Sequence, residues 1–218
     1  MSPRFLYLHG FASGPSSKKG TAFERHFTLP PRGVILDRLD LRVPSFPNLR
    51  LSAMLDVVRE AIGGDRDRAV VIGSSLGGLT AARQAERDPR IAALILLAPA
   101  FQLPARWRAQ LGDEGWAEWQ RTGSLEVIDR TTNQPARVPF TFIEDVIKID
   151  VDYPDVRVPT LIIHGTRDEV VPIAHSRTFA ANKRHVRLVE VDDDHELITS
   201  LPQIFGEADR FLTPWLGS

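Results

Sequence analysis

Apolar residues along this chain gather in short runs set between longer amphipathic stretches. The runs are "RFLYLHG" (Arg4 to Gly10), "GVILDRL" (Gly33 to Leu39), "AVVIG" (Ala69 to Gly73), "IAALILLAP" (Ile91 to Pro99), "TLIIHG" (Thr160 to Gly165) and "VRLVEV" (Val186 to Val191). They are too short for helices and rich in Val, Ile and Leu, which predicts strands buried on both faces. Between them, helical spacing of apolar positions predicts helices over 17–27, 49–62, 76–87, 173–182 and 202–212, with Pro172 suited to a first helical turn. Strand and helix alternate, so the expected fold class is α/β, with a mostly parallel central sheet of about six strands and helices on both faces.

The alternation breaks once, over about 101–151. There "PARWRAQLGDEGWAEWQ" predicts one or two short helices, and "GSLEVIDRTTNQPARVPFTF" predicts two strands around a polar turn. This stretch is too short to fold alone and reads as a small cap inserted over one end of the sheet. Residues 1–218 are accordingly expected to form one domain.

Composition narrows the function. Lys and Arg number 27 against 28 Asp and Glu, a net charge of −1, so no overall field would gather nucleic acid or an anionic membrane. The expected partner is a small molecule, and a homodimer is compatible with the sequence. Cysteine is absent, which removes disulfides, thiolate metal sites and a thiol nucleophile together. The opening "MSPRFLYLHGF" runs straight into a strand without the features of a secretory signal, and the expected location is the cytoplasm.

The strongest chemical signal is "VVIGSSLGGLT", in which Gly73, Ser75 and Gly77 spell G-x-S-x-G between a strand and a helix. A serine at such a corner stands on a strained turn with its hydroxyl above the carboxyl edge of the sheet, and the glycines let neighbouring backbone pass. The plain alternative is a glycine-rich turn with a capping serine. A nucleophilic serine needs a base and a carboxylate to orient that base. Of six histidines, His195 follows the last strand in "VRLVEVDDDHELI", on the same rim as Ser75, whereas His9 and His164 end strands and His26, His175 and His185 fall in or beside helices. For the carboxylate, "HGTRDEVVP" places Asp168 after the strand ending at His164, with Glu169 as a near rival. Asp192, Asp193 and Asp194 read as a solvated loop, and no metal-ligand spacing accompanies them. The chain order Ser75, Asp168, His195 is the one this sheet architecture requires. Donors for a tetrahedral oxyanion are expected from the N–H of Leu76 and, in the loop "HGFASGPSS", from that of Phe11, with Ala12 as the alternative.

Together "LYLHGF", "GSSLGG" and "HGTRDEVVP" resemble the α/β-hydrolases, in particular the small YqiA-like esterases and related acyl-protein thioesterases. The resemblance covers nearly the whole chain and is weakest from Phe101 to Val151. It implies an α/β-hydrolase fold lacking the first two strands of larger relatives. It further implies Ser75 as nucleophile, His195 as base, Asp168 as its orienter and Phe11 with Leu76 as oxyanion hole, acting on esters or thioesters with neither a metal nor an organic cofactor.

Three of the four tryptophans, Trp107, Trp116 and Trp119, lie in the cap and are expected either to bind an acyl chain or ring or to pack the cap onto the body. Lys18, Lys19, Arg106 and Arg108 are available to an anionic leaving group such as a coenzyme A phosphate, or are simply solvated. The expected function is hydrolysis of carboxylic esters or thioesters of small to medium acyl groups through an acyl-enzyme. The alternatives are a serine peptidase, for which the short cap offers no extended-backbone site, and a slow or non-catalytic ligand receptor, whose mark would be an interrupted set of catalytic residues.

Overall fold

In the computed structural model, which describes residues 2–216, six strands form one sheet and a hairpin stands apart from it. The sheet strands are β1 (Arg4–Leu8), β2 (Leu36–Leu39), β3 (Ala69–Ser74), β4 (Ile91–Leu97), β7 (Thr160–Gly165) and β8 (Val186–Val191). They lie in the order β2-β1-β3-β4-β7-β8, and every neighbouring pair is parallel. The pleat sends alternate residues to opposite faces. Leu6, Leu8, Val71, Leu94, Leu96 and Ile162 enter one core, while Phe5, Tyr7, Val70, Ile72, Ile95 and Ile163 enter the other.

Helices α1 (Lys18–Thr28) and α7 (Leu201–Leu212) cover the second core, contributing Phe23, Phe27, Ile204 and Leu212. Helices α2 (Leu51–Ile62), α3 (Leu76–Ala85) and α6 (Ala174–Ala180) cover the first, with Met54, Val58, Leu79 and Phe179 turned inward. The predicted elements all form, with ends within a few residues; the second is the shortest, because pairing with β1 begins only at Leu36. The chain winds outward from β1 in one direction to β2 and in the other to β3. The carboxyl ends of β1 and β3 thus flank the point where the winding reverses, the crevice in which α/β sheets bind ligands. Among the described residues no helix is long and apolar enough to cross a membrane.

The cap follows β4. Helix α4 (Leu103–Thr122) is broken at Gly112, whose φ of 67° and ψ of 173° are not helical, so the expected one or two helices are two segments joined by a kink. The hairpin pairs β5 (Ser124–Asp129) with β6 (Gln134–Pro139) in antiparallel register. One element departs from expectation: "PFTF" does not extend the second strand, because the chain turns at Pro139 into α5 (Phe140–Ile149). Its Phe142, Ile143 and Val146 are buried at helical spacing, a repeat the preceding β-rich run masks.

A buried ion pair holds the cap to the body. Arg83 on α3 donates at 2.8 Å to Asp150, the residue after α5, and Asp150 also accepts from the N–H of Leu103 at 3.2 Å at the start of α4. Burial pushes the Asp150 carboxyl above its ordinary value, and Arg83 offsets that only in part. Arg83→Leu strands that carboxylate in the interior and is expected to cost about 3 to 5 kcal/mol, read as a lowered urea midpoint at unchanged slope.

Candidate active site

The turn from β3 into α3 places Ser75 at φ 54° and ψ −115°, a conformation that an L-residue holds only under strain of about 1 to 3 kcal/mol. Neighbouring backbone leaves no room for side chains at the flanking glycines. A Cβ on Gly73 would lie 2.3 Å from the Gly77 carbonyl oxygen, and one on Gly77 2.3 Å from that of Leu8. Backbone bonds lock the corner from both sides, with Ser75 N–H donating to Leu97 O at 2.9 Å and Ala100 N–H donating to Ser75 O at 3.0 Å.

His195 reaches this corner from the loop after β8. Its Nδ1 donates to Asp168 Oδ2 at 2.7 Å, which leaves Nε2 as the acceptor for the Ser75 hydroxyl at 3.0 Å. Asp168 is fully engaged: Oδ1 accepts from the N–H groups of Val170 at 2.9 Å and Val171 at 2.7 Å, and Oδ2 also faces His164 Nε2 at 3.1 Å. Burial alone would raise its pKa, but the bonds from His164 and His195 outweigh it and hold the carboxyl well below the usual carboxylate range. Glu169, the rival in sequence, is exposed.

The three aspartates before His195 diverge. Asp192 and Asp194 are exposed, but Asp193 is buried, contrary to the reading of all three as a solvated loop. Its Oδ2 accepts from Ser200 N–H at 2.8 Å, its carbonyl accepts from Arg167 N–H at 3.0 Å, and a Cβ on Gly165 would sit 2.3 Å from that same oxygen. The loops after β7 and β8 are thereby clamped together, which fixes Asp168 against His195.

The other histidines fall into structural positions. His164 is buried, with Nε2 donating to Val171 O at 2.8 Å and Nδ1 2.7 Å from the Ser176 hydroxyl. His9, buried at the end of β1, donates from Nδ1 to Gly10 O at 2.9 Å and accepts at Nε2 from Leu41 N–H at 3.0 Å, and burial lowers its basicity. It orients the loop that carries Phe11. Gly10 passes so close to Ser75 that a Cβ there would lie 3.3 Å from the serine Cβ. Neither the N–H of Phe11 nor that of Leu76 donates a bond among the described residues, and both residues line the same cavity as Ser75. Ala12, the alternative donor, stands at φ 53° with its carbonyl bound by Arg130 N–H at 2.8 Å.

That cavity, of about 640 Å³, lies between the carboxyl edge of the sheet and the cap. Of the three cap tryptophans, Trp107 lines it and packs edge-on to Phe11 at 5.0 Å. Trp116 and Trp119 do not line it, which corrects the substrate-binding alternative for these two and leaves the cap-packing one. Trp119 is buried in the core with its indole N–H donating to Val138 O at 3.0 Å, and Trp116 packs against Trp119 and Phe140. Rings at helical spacing packed against Val138 of the hairpin and Phe140 of α5 find more apolar surface there than over the open cavity. Lys19, grouped in the sequence with three other cations, is buried and donates from Nζ to His195 O at 3.2 Å, a bond between α1 and the histidine loop that spacing alone does not reveal.

The sequence matches the model of a family described as an uncharacterised protein family, UPF0227, over residues 4–206. No curated protein matches it. Solved structures match in fold. The alpha/beta hydrolase domain-containing protein 10 from mouse superposes with a TM-score of 0.81 at 21% identity, covering 98% of this chain and 91% of that one. Est1E from Butyrivibrio proteoclasticus, bound to ferulic acid, superposes at 0.79 and 24% identity, with 99% and 90% covered. The esterase domain of a Rhodothermus marinus protein superposes at 0.69 and 20% identity, with 100% and 90% covered. At these identities the likeness establishes the α/β-hydrolase fold.

Proposed function

We propose that this chain, which belongs to the UPF0227 family, is a serine hydrolase that cleaves carboxylic esters or thioesters through an acyl-enzyme. The observation that carries the reading is the unbroken line of hydrogen bonds from Ser75 through His195 to Asp168, ending at a strained corner inside a cavity. In this reading the Ser75 Oγ attacks the substrate carbonyl while its proton passes to His195 Nε2, and Asp168 stabilises the imidazolium that forms. The negative charge that develops on the carbonyl oxygen is met by the N–H groups of Phe11 and Leu76, assisted by the N-terminus of α3. Collapse of the tetrahedral intermediate expels the alcohol or thiol, which takes the proton from His195. Water, deprotonated by the same imidazole, then attacks the acyl carbonyl and returns Ser75 to its free state.

The fold neighbour named as an esterase domain, and Est1E with its bound ferulic acid, favour ester substrates. The cavity is large enough for a small or medium acyl group, and Trp107 with Phe11 offers an apolar wall beside the reacting carbon. A purified-protein panel of p-nitrophenyl esters and acyl thioesters of graded chain length tests the assignment. Turnover is expected to be highest for short and medium chains, and hydrolysis of none of them at a rate above buffer would refute it.

A further inference from the structure

The wall of the cavity formed by α4 and the loop after Asp168 holds one cation that differs from the rest. Arg106 lines the cavity and is tied by its Nε to Phe101 O at 2.9 Å and by Nη1 to Val170 O at 2.9 Å. Of the five N–H groups of a guanidinium, these bonds use two, so three remain uncommitted among the described residues. No carboxylate lies within ion-pair distance of it among those residues.

The acidic groups nearest to it are already occupied. Asp168 is held by His195, His164 and two backbone N–H groups, and Asp150 by Arg83 and the N–H of Leu103. The cavity's other cations are also matched or solvated: Arg130 pairs with Glu196, Lys19 is bound to His195 O, and Lys18 is exposed. Arg108, on the same helix, is exposed and pairs with Asp113 at 3.1 Å. Burial opposes the Arg106 charge, while the fields of Asp168 and Asp150 support it. A partly desolvated guanidinium held rigid by two carbonyls, with its free edge in a cavity, is arranged for a planar anion.

We propose that Arg106 is a specificity residue that binds a carboxylate on the substrate, so that the preferred ester carries an acidic group in its acyl or alcohol part. This rests on the hydrolase reading but fails separately from it. The test uses two isosteric pairs: monoethyl glutarate against its carboxamide analogue, with the acid in the acyl part, and 4-acetoxybenzoate against 4-acetoxybenzamide, with the acid in the leaving group. Each kcat/KM is divided by the uncatalysed alkaline rate of the same compound.

At least one pair is expected to favour the carboxylate by about 10- to 100-fold, the range of a charge-assisted hydrogen-bonded contact. Arg106→Gln brings that ratio close to one, and Arg106→Lys retains part of it. The ratio is taken within each enzyme, so a general loss of activity cancels. Calorimetry of wild-type protein with glutarate and glutaramide gives a second readout that needs no variant, with glutarate expected to bind at least 10-fold tighter. A carboxylate-to-carboxamide ratio near one in both pairs, or a preference that survives in Arg106→Gln, overturns the inference and leaves the hydrolase reading intact. Binding of glutarate that depends on Arg106, without turnover of any of the four esters, supports the carboxylate site and defeats the hydrolase reading.

Discussion

Ser75→Ala is expected to lower kcat for p-nitrophenyl butyrate by about 10⁶ while leaving the protein folded. The size follows from the way the three residues depend on one another: without the Oγ there is nothing for His195 to activate, and only substrate binding and the two N–H donors remain to act on water. Retention of the fold follows from the corner itself. The φ of 54° at Ser75 strains alanine as it strains serine, and the bonds that hold the turn come from the backbone to Leu97 and Ala100. The side chain contributes only its contact with His195. A melting temperature within a few degrees of wild type, measured on the sample that has lost turnover, separates lost chemistry from lost structure.

Asp168→Asn is expected to lower kcat by on the order of 10⁴, through the tautomer of His195. The orientation of the new amide is dictated by its neighbours. The N–H groups of Val170 and Val171 both point at the Oδ1 position, so the amide oxygen must sit there, which turns the NH₂ toward His195 Nδ1 and His164 Nε2. An NH₂ facing Nδ1 requires that nitrogen to accept, which moves the ring proton to Nε2. The imidazole then presents an N–H to Ser75 and cannot take its proton.

The same variant changes acid stability. The Asp168 carboxyl is held below its unfolded range, so at mildly acidic pH the unfolded chain binds a proton there that the native protein does not. Its contribution to stability is present above the ordinary carboxylate range and is lost as pH falls toward the lowered native value. Urea midpoints measured at falling pH should therefore decline more steeply for wild type than for Asp168→Asn.

Much of the architecture was legible in the sequence because buried parallel strands are short and uniformly apolar. The runs ending at Gly165 and Val191 coincide with β7, which is buried throughout, and with β8, the half-exposed edge strand that its three valines mark despite Arg187 and Glu190. The cap was harder to read, as α5 follows directly on a strand and its first residues, "FTF", suit a strand as well as a helix. Ser75, Asp168 and His195 stood out because each follows a strand on the carboxyl rim, so sheet topology alone brings the loops together.

What topology does not encode is the support around them. Asp193 clamping the Arg167 loop, His9 bound by Leu41 behind the Phe11 loop, Lys19 on the His195 carbonyl and the Arg83–Asp150 tether of the cap all join residues far apart in sequence and carry no local pattern. The tryptophans mislead for a related reason. Their spacing marks an apolar helix face, but whether that face turns to a cavity or to a hairpin is decided by the placement of β6 beneath Trp119.

If His195 makes the Ser75 hydroxyl a nucleophile, as proposed, trapping that oxygen tests it most directly. Wild-type protein treated with a fluorophosphonate and digested for mass spectrometry should carry one phosphonyl group on the peptide that contains Ser75, with labelling slowed by orders of magnitude in Asp168→Asn. An unmodified Ser75 peptide under conditions that label a known serine esterase to completion, or equally fast labelling in Asp168→Asn, would contradict it.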